Sequence, residues 1–316
     1  MMYKQEELSA IIQNGVETID YPQATPGLFD PVRYTLESGG KRIRPTLVLM
    51  ATNIYSDDIS EAITPAIGLE MYHNFTLLHD DVMDKAPDRR GRATVHVKWD
   101  DNTAILSGDA MLSLAFVLIS KVSDDKLRAV LSLFTKTTIE IDEGQQLDME
   151  FETRNDVKVE EYIEMIRLKT SVLLGCALKM GAIIGGASAK DADILYNFGV
   201  NIGLAFQLQD DWLDCWGDPK TFGKRIGGDI LCNKKTFLRI TAEKQAQIPD
   251  TEGMSEQQKI DTIKAFYIET KAEEACRDMI AFYHNKAMQE LAGISVGEDK
   301  LALLKALAAK LENRKI

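Results

Sequence analysis

Between Asp88 and Asp218 the chain contains no proline; its eight prolines stand at 22, 26, 31, 45, 65, 87, 219 and 249. Proline removes an amide donor and clashes with the preceding turn, so a long stretch without it is free to run as helix. Its apolar residues recur at three and four, as in Leu112, Ala115, Phe116 and Ile119, then Val130, Leu133 and Phe134. That spacing is helical, and the dipeptides of hairpin turns between alternating strands are absent. Helices are expected near 4–20, 31–38, 45–55, 61–84, 98–121, 124–151, 159–186, 191–216, 235–247, 256–290 (with a break) and 298–313. Asp30-Pro31 and Arg44-Pro45 place a proline where a first turn tolerates it. Ser255-Glu256-Gln257-Gln258 has the form of a capping box. No linker or low-complexity segment interrupts the pattern, so the reading is one all-α domain over residues 1–316.

With 37 basic and 49 acidic residues the net charge is −12 over 316 residues, which argues against nucleic acid as the main partner. Hydrophobic residues at 45% suffice for a sizeable core. Four cysteines without a CxxC pair point to a reducing cytosol. The stretches Ala104 to Ser120 and Ser171 to Ala187 are interrupted by Asp109 and Lys179, and the first residues carry no apolar leader. A soluble, cytoplasmic protein with no membrane span is therefore expected.

Two carboxylate clusters carry the chemistry. Asp80, Asp81 and Asp84 lie near the end of one expected helix, in His79-Asp80-Asp81-Val82-Met83-Asp84. Asp210, Asp211 and Asp214 repeat the spacing in Gln209-Asp210-Asp211-Trp212-Leu213-Asp214. Carboxylates at a helix C-terminus repel one another and oppose the macrodipole, by about 0.3–1 kcal/mol per charge. A solvated helix end is the plain alternative, but a second copy among apolar neighbours favours a shared counter-ion. Oxygen donors without a Cys/His set suit a hard cation such as Mg²⁺, which usually bridges carboxylates to substrate phosphates. Two clusters facing each other would hold a diphosphate.

An anionic substrate also needs cations. Gly39-Gly40-Lys41-Arg42-Ile43-Arg44-Pro45 supplies three at the start of an expected helix, and Arg89-Arg90-Gly91-Arg92 follows the first acidic cluster. Lys169-Thr170, Gln207, Lys224 and Lys234 are further candidates; Gln207 precedes Asp211 by one turn and shares its face.

These elements, in order, resemble the trans-isoprenyl (polyprenyl) diphosphate synthases over nearly the whole chain. The matching stretches are Gly40 to Pro45, Leu77 to Asp84, Arg89-Arg90-Gly91, Gly144-Gln145-Gln146-Leu147-Asp148, Lys169-Thr170, Phe206 to Asp214 and Gly223-Lys224 to Asp229. The resemblance implies an isoprenoid synthase-like helical bundle around a central cavity, usually a homodimer. It implies condensation of an allylic diphosphate with isopentenyl diphosphate by ionisation, condensation and elimination. By that analogy Asp80, Asp84 and Asp210, with Asp81, Asp211 and Asp214 nearby, hold three Mg²⁺ ions (Mn²⁺ being an alternative). Arg89, Lys169 and Lys224 bind the allylic diphosphate, Thr170, Gln207 and Lys234 line its site, and Lys41, Arg44, His73 and Arg90 hold isopentenyl diphosphate.

Product length should be set along the helix bearing Asp80. Phe75 lies five residues earlier, roughly 7.5 Å along the axis, with Tyr72 and Met71 about a turn beyond. In the family a bulky residue there goes with short products, so C15 to C20 is expected, leaning to geranylgeranyl diphosphate. A longer-chain synthase and a catalytically silent regulatory subunit are the alternatives within the family. An HD-type phosphohydrolase, suggested by His79-Asp80, lacks a suitable upstream histidine. A class-I terpene cyclase usually replaces the second aspartate motif, which is intact here.

Overall fold

The computed structural model describes residues 2–218 and 226–312. The chain is all-α, in two compact units: Met1–Phe134 with Ala177–Ala192, and Thr135–Cys176 with Asp193–Ile316.

The first unit is built from α1 (Gln5–Glu17), α2 (Pro26–Glu37), α3 (Ile43–Tyr55), α4 (Ser60–Met83), the short α5 (Val95–Lys98) and α6 (Asp101–Ile119). Helix α4 is its axis: Ala62, Ala66, Leu69, Met71 and Tyr72 are fully buried. Gly68 lets α6 approach so closely that a side chain there would lie 2.9 Å from Leu118 Cβ and 3.0 Å from the Ala115 carbonyl. Helix α2 begins at Pro26, in the first turn, and carries Pro31 inside, whereas the sequence placed Pro31 at its start. Burial of Phe29, Val32 and Leu36 along one face extends the helix past the lost amide. The helix expected over 98–121 is parted at Trp99-Asp100, because the Asp100 side chain accepts the Thr103 amide and starts α6 afresh.

One element was not foreseen. Asp88–Arg89 and Arg92–Ala93 pair as a two-residue antiparallel ladder. Its turn, Arg90-Gly91, has both φ angles positive, 54° and 73°, the geometry of a tight hairpin turn. Arginine is not the residue that turn normally takes, so nothing in the residue pattern announces it. Tyr34 steadies this hairpin: its hydroxyl donates to the Ala93 carbonyl at 2.8 Å, and Arg92 lies 4.0 Å from its ring centre.

The second unit contains α8 (Val159–Ile166), α11 (Gly228–Leu231), α12 (Phe237–Glu243), α13 (Glu256–Glu269), α14 (Ala272–Leu291) and α15 (Glu298–Glu312). Three longer helices contribute to it: α7 (Asp124–Thr153), α9 (Val172–Gly185) and α10 (Ala189–Trp216). Between α8 and α9 the residues Arg167–Ser171 form a π turn. Its core gathers Tyr162, Leu208, Trp212, Phe237, Phe266, Tyr267 and Cys276. The expected break inside 256–290 falls at Lys271, whose φ is 59°.

Among the described residues, two helices are long and apolar enough to cross a bilayer by length and composition, α6 and the run Val159–Gly185. That corrects the expectation that none would be, since one charge such as Asp109 or Lys179 does not spoil a window. The second of these is mostly buried in the fold.

Candidate functional site

In the first unit the basic run enters α3 through Arg42, which adopts φ 46°. Arg42 is buried: Nη1 donates to Glu70 Oε1 at 2.6 Å and Nη2 to the Leu36 carbonyl. It therefore holds α3 to α4. Lys41 beside it is exposed. Arg44, in the first turn of α3, donates from Nη1 to His73 Nε2 at 3.1 Å. A guanidinium cannot accept, so His73 Nε2 carries no proton. Burial, then the neighbouring cations Arg44, Arg90, Arg89 and Arg42, push the His73 pKa well below the usual imidazole value. A neutral histidine and its arginine thus face the same element.

The hairpin positions the other two arginines. Arg89 grips Asp81, with Nε 2.8 Å from Oδ1 and 3.0 Å from Oδ2, and Nη2 2.7 Å from Oδ1. Arg90 donates from Nη1 to the Gly39 carbonyl. Gly40, at φ +134°, wraps the same guanidinium so closely that a Cβ would lie 3.0 Å from it. Asp81 is buried, Asp80 half-buried, and Asp84 exposed at the C-cap of α4. The first carboxylate set is therefore divided: Asp81 is tied to Arg89, while Asp80 and Asp84 share the next face, one turn apart.

Along α4, Phe75 is half-buried between the rings of Tyr72 at 5.6 Å and His79 at 4.7 Å. Tyr72 and Met71 are fully buried. His79 Nε2 donates to the Ile105 carbonyl at 3.1 Å. That packing role leaves nothing for a metal-hydrolase reading of His79-Asp80.

In the second unit the π turn carries Lys169 and Thr170. At about 100° per residue, Tyr162 and Thr170 would stand roughly 80° apart on an unbroken helix; one residue absorbed in the wide turn leaves roughly 20°. Both accordingly serve α10. The Tyr162 hydroxyl donates to Asp211 Oδ2, Gln207 Nε2 donates to Asp211 Oδ1 at 3.2 Å, and the Thr170 hydroxyl reaches Gln207 Oε1 at 3.4 Å. Lys169 turns instead to α7, its Nζ 2.6 Å from Asp148 Oδ2, an oxygen that Lys234 Nζ approaches at 3.9 Å. Burial would raise the Asp148 carboxyl, but Lys234 and Lys169 hold it below the usual range.

Asp211 is the reverse case. Burial first, and then the Asp229 carboxylate, push its pKa up to about 8 despite the bond from Tyr162. Asp214, also buried, accepts the Asp229 amide on Oδ2 at 3.1 Å. Asp210 remains half-buried. Lys224 lies outside the described residues.

Among the described residues no three acidic, histidine or cysteine side chains converge to form a cation site unaided. The oxygen-only donors, with the Asp211 carboxyl raised by burial and by Asp229, fit a divalent cation that completes its shell with phosphate oxygens. Sequence reasoning missed Asp148, Asp229 and Tyr162 as parts of the site. The first two stood in the matching stretches but no spacing tied them to a partner, and Tyr162 looked like one more apolar-face residue.

Acid and cation sets on an all-α frame define a class of helical, diphosphate-directed proteins, and comparison narrows it. The chain belongs to the polyprenyl synthetase family, whose profile matches residues 25–273. It is 42% identical over 231 residues to the geranylgeranyl diphosphate synthase of Methanosarcina mazei, covering 72% of this chain and 71% of that one. A crystal structure of a geranylgeranyl pyrophosphate synthase superposes with a TM-score of 0.94 at 43% identity over 100% of both chains. The geranylgeranyl pyrophosphate synthetase of Pyrococcus horikoshii gives 0.90 at 33%, covering 98% of this chain and 97% of that one. The frame is thus the isoprenoid synthase fold.

Proposed function

We propose that this chain is a trans-prenyltransferase that joins an allylic diphosphate to isopentenyl diphosphate head to tail, releasing pyrophosphate. The product is a short prenyl diphosphate of C15–C20, leaning to geranylgeranyl diphosphate. The observation that supports this most is Asp148 holding Lys169 and Lys234 beside the Asp211 network. Cations so held, next to carboxylates that want a counter-ion, suit a metal-bound diphosphate leaving group.

The residues divide the work. Arg89, Lys169, Lys224 and Lys234 take the allylic diphosphate, and Lys41, Arg44, His73 and Arg90 take isopentenyl diphosphate. Because His73 is neutral and its Nε2 accepts, it orients Arg44 rather than adding charge. Thr170 and Gln207, joined at 3.4 Å, line the allylic site, where their oxygens would favour positive charge on the ionising carbon. Asp80, Asp84 and Asp210, with Asp81, Asp211 and Asp214, are the ligands for Mg²⁺ (three ions, Mn²⁺ as substitute). Mg²⁺ held by these carboxylates would supply charge neutralisation for the diphosphate leaving group. Phe75, backed by Tyr72 and Met71, blocks the growing tail. We further propose a single functional domain, a cytoplasmic location and a homodimer. The exposed Ile105, Leu106 and Val117 of α6 support the last, being 46%, 60% and 52% exposed.

The test is incubation of the purified protein with radiolabelled isopentenyl diphosphate, each allylic diphosphate in turn and Mg²⁺, with products sized by chromatography. Label in C20 product, abolished by EDTA, is expected. No incorporation with any primer would leave the silent-subunit reading in its place.

A further inference from the structure

The stretch Gly144-Gln145-Gln146-Leu147-Asp148 has no part in the chemistry above beyond Asp148 itself, yet its first residue is as constrained as its last. A Cβ on Gly144 would lie 2.3 Å from the Lys169 amide nitrogen and 2.8 Å from both Leu168 C and Lys169 Cα. The atoms it would strike are backbone, in the π turn, so no side-chain rotation can relieve the clash. Gly144 and Asp148 are one turn apart on α7 and share a face. The Lys169 backbone is seated against the first of them, and its ammonium is bound by the second at 2.6 Å. On the far side, Gly203 of α10 admits the same turn: a Cβ there would lie 2.7 Å from Ser171 Cα and Cβ. A wide turn needs room on both flanks, and a glycine supplies it on each.

Resting on the prenyltransferase reading, we propose that Gly144 is a positioning residue for Lys169. Together with Asp148 it forms a two-point clamp that fixes where the ammonium meets the leaving diphosphate. Gly144→Ala must push the Lys169 backbone from 2.3 Å to the 3.4 Å of an ordinary contact, about 1.1 Å away from α7. A displacement of that size at a catalytic cation lowers turnover about 100-fold.

The experiment measures kcat and the KM of both substrates for wild type, Gly144→Ala, the double variant Gly144→Ala/Asp148→Glu, and Gly175→Ala. Gly175 is a packing control: a Cβ there would lie 2.9 Å from the Tyr196 carbonyl and from Val200 Cγ2, both on α10, so the added methyl meets that helix and not the Lys169 backbone. Gly144→Ala should lose kcat about 100-fold with the isopentenyl KM within roughly twofold. The longer acid of the double variant should follow the displaced ammonium and recover about tenfold of that loss. Gly175→Ala should lower the melting temperature and leave kcat near wild type. Wild-type kcat in Gly144→Ala, or an equal loss in Gly175→Ala, overturns the proposal. Should Gly144→Ala not fold, Gly203→Ala must show the same split between kcat and KM; if neither folds, the seat is architectural only and the proposal falls. An inactive wild type would instead remove the prenyltransferase reading itself.

Discussion

Glu70 offers the sharpest test of how the first unit is held together. Its Oε1 accepts Arg42 Nη1 at 2.6 Å and Asn74 Nδ2 at 2.9 Å. The two charged side chains are only 4% and 3% exposed. Glu70→Ala leaves the guanidinium buried without its counter-charge, at a cost of about 3–5 kcal/mol. Replacing both partners by apolar residues of similar size, Arg42→Met with Glu70→Leu, removes the charge and its penalty together and should come out near neutral. Hydrogen exchange of the α3 and α4 amides reads this locally, without requiring the whole chain to unfold in one step. The single variant should exchange about 10²- to 10⁴-fold faster, and the double variant close to wild type. Because Arg42 caps α3 just before Arg44, the isopentenyl KM should rise in the single variant as well. Equal instability in single and double variants would show that lost packing, not the stranded charge, sets the cost.

Phe75→Ala should lengthen the product beyond that of wild type, seen by chromatography of the dephosphorylated prenols; products no longer than wild type would remove its role as a floor. For His73, the unfolded imidazole binds a proton near its ordinary pKa of 6.5 while the folded one resists it well below that value. The unfolded state therefore takes up more protons as pH falls, and His73 costs stability progressively below about pH 6.5. Urea midpoints of His73→Gln should decline less steeply through that range than those of wild type, and parallel slopes would refute the assignment. Tyr162→Phe strands a buried oxygen of Asp211 and should cost about 1–3 kcal/mol in urea unfolding. A cost below about 0.5 kcal/mol would mean that Asp211 finds another donor.

The helical class and the two aspartate sets could be read directly because they depend on local rules. A proline-free run with three- and four-residue apolar spacing permits little besides helix, and Asp80/Asp84 or Gln207/Asp211 share a face by the helical repeat alone. The basic runs were equally visible, but their division of labour was not. In Gly40 to Pro45 the three cations look alike, and only packing against α4 sends Arg42 into a buried pair with Glu70 and Arg44 to His73. Likewise Asp80 and Asp81 are neighbours in the chain, and only the folded hairpin, by bringing Arg89 onto Asp81, tells them apart. The π turn is the clearest case. Nothing in Arg167-Leu168-Lys169-Thr170-Ser171 announces an extra residue in the helix; the room that admits it comes from Gly144 and Gly203, on helices distant in sequence. Local propensity acts over a few residues, whereas the direction of a charged side chain is settled by what packs against it from elsewhere in the chain.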